Sequence, residues 1–298
     1  MSASLRARPF AVEDHRIGRD GFLRLAVQRH GGRTILTDRQ FTLPLQALEP
    51  VPLDGDGSLA LTLLNPTGGV VGGDHLETEI FVGTGAHLCL TTPSATKVYR
   101  TAGPPAVQNT LLTLDAGAVV EYFPDHVIPY PGAALNQSLT VSLASESVAI
   151  ISESLAVGRL ARGERWRFSM IESSIKIMAE SAPCFIDRMR LAPELLRADL
   201  PAAAAQAGGL GGTEGFGYIA TFVAVARRAT DWDALSDALY SELQGLPTLS
   251  GVSALTRHGL VVRLLAKTAD DLHRTIHQLW NVTRGQLLGF PPVDLRKL

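Results

Sequence analysis

Residues 59–100, LALTLLNPTGGVVGGDHLETEIFVGTGAHLCLTTPSATKVYR, decide the fold class of this chain. Apolar and polar residues alternate within three short runs, 59–63, 76–82 and 86–90, and period two is typical of half-buried strands. Four glycines between residues 68 and 73 mark a loop with a demanding backbone, because glycine alone accepts positive φ and close backbone approach freely. The stretch therefore predicts strands joined by tight turns.

The same strand–turn–strand unit recurs along the chain. TEIFVGTGAHL (78–88), TLLTLDAGAVV (110–120) and LTVSLASESVAII (139–151) superimpose at offsets of 32 and about 29–30 residues, which fall within the periods of stacked repeat architectures. Prolines 66, 93 and 124 end the preceding strands because proline donates no ladder hydrogen bond. Stacking would bring four loops, 67–74, 94–100, 125–132 and 156–164, together on one face.

The remainder of the chain is predicted as further strands with a few helices. A hairpin is predicted over 21–28 and 33–44, and later strands over 166–177, 218–225 and 260–266. Helices are predicted over 188–206, after the N-cap Asp231, and after Thr268, which forms a variant capping box with Asp271. The fold class is mainly β, in stacked β-solenoid-like layers with two or three helices in the C-terminal part. We predict one domain over 1–298, with an irregular segment at 1–20.

Composition narrows the class of protein. The 298 residues are 46% hydrophobic and 19% charged, which is enough to bury a large core, and the net charge of −2 provides no basic surface for nucleic acid or membrane lipids. No leader-like or membrane-spanning apolar stretch is evident, so we expect a cytoplasmic protein. Cys89 and Cys184 are far apart in apolar runs and are expected to be buried free thiols.

Five blocks of sequence resemble one family. They are NPTGGVVGGD (65–74), TTPSATKVYR (91–100), YFPDHVIPY (122–130), VGRLARGERWRF (157–168) and the closing GLVVRLLA…LWNVTRGQLLG (259–289). Together, and in this order, they resemble the urease accessory protein UreD family, also called UreH, over roughly residues 20–290. Two features depart from the family pattern: Thr67 replaces an expected second proline, and 198–217 is unusually rich in alanine and glycine.

The resemblance implies a function as well as a fold. It implies a non-catalytic scaffold, or chaperone, that binds apo-urease together with UreF and the GTPase UreG and assists nickel insertion into the urease active site. Nickel would contact the chain only transiently, with no tightly bound cofactor. The fold implied is a β-rich stack with two main helices, in agreement with the repeat found from the residues.

Four side chains are candidates for lining a nickel path: Asp74, His75, Glu153 and Glu164. Imidazole and carboxylate are ligands that Ni²⁺ accepts, and a scattered set would bind it weakly enough to release it. Simpler interpretations stand beside this one. Asp74 could cap its own turn beside an exposed histidine, and Glu153 or Glu164 could pair with Arg159 or Arg162.

Other candidate sites are a helical histidine pair and a loop patch. His273 and His277 lie four residues apart on the last predicted helix, a spacing that places two imidazoles on one face, although a solvated helix edge is the simpler interpretation. The interface candidates are Lys97, Tyr99, Arg100 and Arg159, since tyrosine and arginine are enriched at binding surfaces.

Two other functions are consistent with the pattern. A carboxylate pair on a β-solenoid would suit an intracellular carbohydrate-active enzyme, although the aromatic content of 6% argues against a sugar-stacking groove. A generic β-repeat interaction module unrelated to urease would use the same loop face without nickel. No nucleophile elbow or CxxC pair is present in the sequence.

Overall fold

The computed structural model describes residues 19–53, 57–180, 182–193 and 213–295. These residues form eighteen strands, two α-helices and one 3₁₀ turn at Leu160–Arg162. In chain order the elements are β1 (Asp20–His30), β2 (Arg33–Thr42), β3 (Gln46–Ala47), β4 (Val51–Leu53), β5 (Ser58–Leu64), β6 (His75–Val82), β7 (His87–Thr91), β8 (Thr96–Val98), β9 (Ala106–Leu114), β10 (Val119–Phe123), β11 (Val127–Pro129), β12 (Ala134–Leu143), β13 (Val148–Ala156), β14 (Met170–Ala179), β15 (Ala182–Leu191), β16 (Tyr218–Ala226), α1 (Trp232–Leu243), β17 (Thr248–Ala254), β18 (Gly259–Ala266) and α2 (Ala269–Leu288).

The strands form two sheets that stack as a β-solenoid of about four turns. The first sheet has the order β15-β14-β12-β9-β6-β1-β2, and the second runs β17-β18-β16-β13-β10-β7-β5-β3. Pairing is parallel along the centre of each sheet. The parallel strands are β14-β12-β9-β6-β1 in the first sheet and β13-β10-β7-β5 in the second, and the edge strands pair antiparallel. The predicted mainly-β stack with C-terminal helices is confirmed.

The strand register confirms the repeat read from the sequence. In the first sheet Thr78 lies opposite Thr110, and Thr110 lies opposite Leu139. In the second sheet Val119 lies opposite both His87 and Val148. These pairings reproduce offsets of 32 and 29 residues. The strands that precede the three prolines end at Leu64, Thr91 and Phe123, each one or two residues before its proline.

Two hydrophobic cores hold the layers together. Alternate residues of the two sheets face each other, with Leu25, Ile80 and Leu112 packing opposite Leu88 and Ile151. The other face of the second sheet packs against the helices, through residues such as Phe222, Leu264, Leu239 and Leu279. Because successive strand residues point to opposite faces, strands β7, β10, β13 and β16 of the second sheet contribute side chains to both cores.

Both helices begin at the predicted caps. The Asp231 side chain accepts from the Ala234 N–H at 3.0 Å, and the Thr268 hydroxyl accepts from the Asp271 N–H at 3.1 Å. The Asp271 carboxylate accepts from the Thr268 hydroxyl at 2.7 Å. Such caps satisfy N–H groups that have no partner inside the helix.

Two predicted elements are wrong in part. The strand expected from residue 166 begins at Met170, and Trp166 is buried outside it with a φ of 53°. The helix expected over 188–206 is excluded at its start, because Arg188 and Leu191 pair with β14 as part of β15. Pairing with a neighbouring strand has overridden local helix preference there. Residues 194–206, and almost all of the irregular segment at 1–20, lie outside the described residues.

Both cysteines are free, as expected. Cys89 is buried, whereas Cys184 is only half-buried because it lies on the edge strand β15. The prediction of burial is therefore wrong for Cys184.

Replacing Gly73 by valine is expected to lower the free energy of unfolding by about 1–3 kcal/mol, because a β-branched residue is strained at positive φ. Gly73 has a φ of 83°, and its loop carries the bridge between Val70 and Val98. The matched control is Gly103→Val, where an added Cβ meets nothing within 4 Å. Equal urea midpoints for the two variants would show that the Gly73 backbone is not special.

Candidate functional site

The four loops predicted to share one face are in contact with one another. Strands β8 and β11 pair in parallel, and Val70 bridges to Val98. The Tyr99 hydroxyl donates to the Gly68 carbonyl at 3.4 Å, and the Tyr99 ring meets the Tyr130 ring edge-on at 5.1 Å. We call the surface formed by residues 67–74, 94–100, 125–132 and 156–164 the loop face.

Arg159 and Glu164 close one end of the loop face. The Arg159 guanidinium lies 4.1 Å from the centre of the Tyr130 ring and forms two hydrogen bonds, of 2.5 and 2.7 Å, to the Glu164 carboxylate. The hydrogen bond and charge of Arg159 lower the pKa of Glu164. The simpler interpretation of Glu164, an ion pair with Arg159, is therefore what the structure shows.

Asp74 and His75 lie at the end of the glycine loop but serve different contacts. The buried Asp74 carboxylate accepts from the Val71 N–H at 2.9 Å, so it caps its own turn. Burial raises the pKa of Asp74, against the opposing effects of that hydrogen bond and of Arg19. The His75 side chain is half exposed and lies 3.4 Å from Glu77.

A polar cavity of about 180 Å³ leads from the loop face into the space between the sheets. Gly68, Gly69 and Lys97 line its outer part, and Tyr122 and Glu153 line its inner part. Threonine, serine and glutamine side chains from the first sheet also line it: Thr78, Gln108, Thr110, Gln137 and Ser138. The volume has room for several water molecules, and the polar wall offers them partners.

Glu153 is the single carboxylate that β13 directs into this cavity. Its Oε2 accepts from Ser173 Oγ at 3.0 Å and from Gln137 Nε2 at 3.3 Å, both on the first sheet. Burial raises the pKa of Glu153 to about 7, the two hydrogen bonds oppose the shift, and the charge of Asp187 adds to it. The side chain lies deep in the protein while remaining in contact with the cavity.

The stability of the chain should fall as pH rises through the range in which Glu153 ionises. The folded-state pKa of about 7 lies above the ordinary value of 4.5, so the folded protein holds this proton more tightly than the unfolded chain does. Below pH 4.5 the side chain is protonated in both states and causes no penalty in the free energy of unfolding. Above pH 7 the penalty for keeping Glu153 ionised in the folded protein reaches at most about 3 kcal/mol.

Glu153→Gln should remove this penalty, because an amide does not ionise. The variant should be more stable relative to wild type at pH 8 than at pH 5, in urea unfolding at both pH values. A difference between variant and wild type that stays constant from pH 5 to pH 8 would contradict the shift.

A second buried carboxylate lies on the opposite face of the second sheet. Glu121 of β10 is fully buried and accepts from Arg284 and Trp280 of α2, and its Oε1 lies 2.5 Å from His87 Nε2. Burial alone would raise the pKa of Glu121, but hydrogen bonding and charge from His87 and the charge of Arg284 outweigh it and lower the pKa. This cluster attaches α2 to the second sheet.

The helical histidines do not act as a pair. His277 Nε2 donates to the Val293 carbonyl at 2.7 Å, whereas His273 Nε2 lies 3.2 Å from Nδ1 of His126. In the described part of the chain, no three His, Cys, Asp or Glu side chains are already arranged around a point that a metal ion could occupy. Neither described helix is long and apolar enough to cross a membrane.

The sequence interpretation named Glu153 but missed the residues around it and the whole Glu121 cluster. Glu121 and Glu153 both interrupt apolar strands, in VVEYF and IISESL, and a carboxylate in such a strand must find buried partners. The sequence therefore indicated that both carboxylates would be buried with polar partners. The partners Gln137, Ser173 and Arg284 were not identifiable, because they lie 16 to 163 residues away.

Comparison with known proteins gives one consistent family. The family model described as "UreD urease accessory protein" matches residues 19–297. A urease accessory protein UreD of Actinomyces naeslundii is 32% identical, covering 93% of this chain and 98% of its own length. UreD of Ralstonia nicotianae is also 32% identical, with 92% of each chain covered, and UreD 2 of Streptomyces griseus is 31% identical with 99% of each covered. The chain belongs to the UreD family of urease accessory proteins.

Proposed function

We propose that this chain is a non-catalytic scaffold that binds apo-urease together with UreF and the GTPase UreG in the cytoplasm, and that it helps to deliver Ni²⁺ to the urease active site. Family membership supports the general role in urease maturation. The observation that carries the delivery step is the polar cavity that joins the loop face to Glu153.

The cavity suits the passage of a hydrated cation better than its storage. Glu153 offers one carboxylate with neutral amides and hydroxyls beside it, and Asp125 supplies the other carboxylate that lines the cavity, so any Ni²⁺ would keep several water ligands. A tight site requires several imidazole, thiolate or carboxylate ligands that converge, and the described residues contain no such group. The purified chain should therefore carry no stoichiometric tightly bound nickel.

Among the four candidates from the sequence, Glu153 is the one we place on the path. Asp74 already caps a turn, and both oxygens of Glu164 accept from Arg159, so either would have to give up a structural contact to bind a metal. His75 is exposed beside Glu77 and does not line the cavity.

The loop face is the proposed contact surface for a partner. Lys97 lines the outer part of the cavity, where its charge would repel Ni²⁺ unless a carboxylate of the partner neutralised it. Tyr99, Arg100 and Arg159 lie on the same face and supply residue types that are frequent at binding hot spots.

Urease expressed with UreF and UreG, with and without this chain, tests the proposal. With the chain present, we expect a complex that co-purifies with apo-urease and a large gain in the nickel content of urease. Full nickel content without the chain would refute the delivery role. Failure of the chain to co-purify with any of the three partners would refute the scaffold role.

A further inference from the structure

We infer that His126 and His273 form a second, solvent-accessible binding site for a divalent transition-metal ion, with Asp125 as a third ligand. The two imidazoles come from positions 147 residues apart, and the fold places His126 Nδ1 3.2 Å from His273 Nε2. Asp125 Oδ1 lies 3.7 Å from the same His273 nitrogen.

The backbone around the site holds the ligands in place. His126 lies between β10 and β11, and its carbonyl accepts from the Thr96 N–H at 3.1 Å. Its buried ring packs edge-on against Tyr218 at 5.3 Å. The Asp125 N–H donates to the Thr92 hydroxyl at 2.9 Å, and His273 lies in the first turns of α2, which is capped by Thr268. Both sides of the pair are therefore anchored to regular structure.

The spacing of the nitrogens suits a metal ion. Ligands bound at about 2.0–2.1 Å in neighbouring positions of a tetrahedron or octahedron lie roughly 2.8–3.4 Å from each other, and the imidazole nitrogens are 3.2 Å apart. In the metal-free chain one ring donates its N–H to the other. A bound ion would take the place of that shared hydrogen, and the donating ring would carry its proton on its other nitrogen.

The His273 side chain gives the proposed metal site its access to solvent and its freedom to adjust. Its side chain is 48% exposed, whereas that of Asp125 is 11% exposed. The three groups do not yet enclose one point, so the exposed His273 ring must turn to bring them together. Water would complete the coordination, and affinity should be weak.

The proposed metal site lies beside the cavity that contains Glu153. Asp125 and His273 line a second cavity of about 430 Å³ against α2, which shares Pro124, Asp125 and Ser154 with the cavity between the sheets. Ser154 follows Glu153 on β13 and lines both cavities. A role for this site in loading or holding nickel rests on the proposed function, whereas metal binding itself does not.

Titration of the full chain with NiCl₂, followed by calorimetry in chelator-free buffer, tests the site. We expect one weak site in wild type and at least about tenfold weaker binding in His273→Ala and in His126→Asn. The controls are His277→Ala, in the same cavity, and His30→Ala, at the exposed β1–β2 turn. Both controls should keep wild-type affinity.

Copper provides a spectroscopic check that does not depend on the heat signal. Cu²⁺ bound to wild type should show coupling to two imidazole nitrogens in its paramagnetic resonance spectrum, and His273→Ala should show one fewer. Wild-type nickel affinity in His273→Ala, which alters a half-exposed side chain and should fold, would overturn the site. That result would leave the activation test of Glu153 untouched, and a failure of that test would leave this titration unchanged.

Discussion

Arg284→Met is expected to lower the free energy of unfolding by about 3–5 kcal/mol, because it leaves the Glu121 carboxylate buried without the guanidinium that pairs with it. Both side chains have no exposed surface. Arg284 also donates from Nε to the Pro291 carbonyl at 3.1 Å, and Phe290 lies beneath its guanidinium and beside His87. The substitution therefore removes a charge, the hydrogen bonds to Glu121 and to the Pro291 carbonyl, and the cation–π contact with Phe290.

Two further variants separate the buried charge from general disruption. Arg190→Met removes an exposed ion pair with Glu172 and should cost no more than about 1 kcal/mol. The double variant Glu121→Leu with Arg284→Met should be more stable than Arg284→Met alone, since no unpaired charge remains buried. Urea unfolding at one pH provides all three values. A loss for Arg284→Met no larger than for Arg190→Met would contradict the anchoring role.

The repeat and the caps could be predicted because they are local. Turn residues and alternation repeat at nearly constant spacing, and parallel stacking requires the same register, so Thr78, Thr110 and Leu139 align in both sequence and structure. Asp231 and Thr268 cap helices by accepting hydrogen bonds from backbone N–H groups three residues further along the chain. Contacts at such short range are visible in a sequence.

The long-range contacts depend on which face of a sheet a side chain points to and on which other side chains pack against that face. Glu121 and Tyr122 are neighbours, yet the first contacts α2 and the second lines the cavity between the sheets. No local pattern shows that His126 meets His273, because the last helix returns to the end of β10 only in the folded chain. The error at 188–191 has the same origin, since pairing with β14 decided the structure of that segment.

Glu153→Gln is expected to reduce nickel incorporation into urease by about tenfold or more, because the amide keeps the shape of the side chain but not the negative charge that attracts a cation. Ser173 and Gln137 can still hydrogen-bond to the amide oxygen, so the fold should persist. The loop face is unchanged in this variant, and co-purification with UreF and UreG should therefore match wild type.

Glu172→Gln is the matched control. It makes the same substitution on strand β14 of the first sheet, where the side chain is 41% exposed and pairs with Arg190. We expect wild-type nickel incorporation for this variant. A loss of equal size in both variants would point to a general effect of charge and not to the cavity.

We propose that nickel passes the carboxylate in the cavity between the sheets, and the nickel content of urease matured with Glu153→Gln is the decisive measurement. Urease should be purified after co-expression with UreF, UreG and either wild-type chain, Glu153→Gln or Glu172→Gln, and its nickel measured per active site. We expect nearly full occupancy with wild type and Glu172→Gln, and about one tenth of that occupancy with Glu153→Gln in an intact complex. Full occupancy with Glu153→Gln would show that nickel does not depend on this carboxylate.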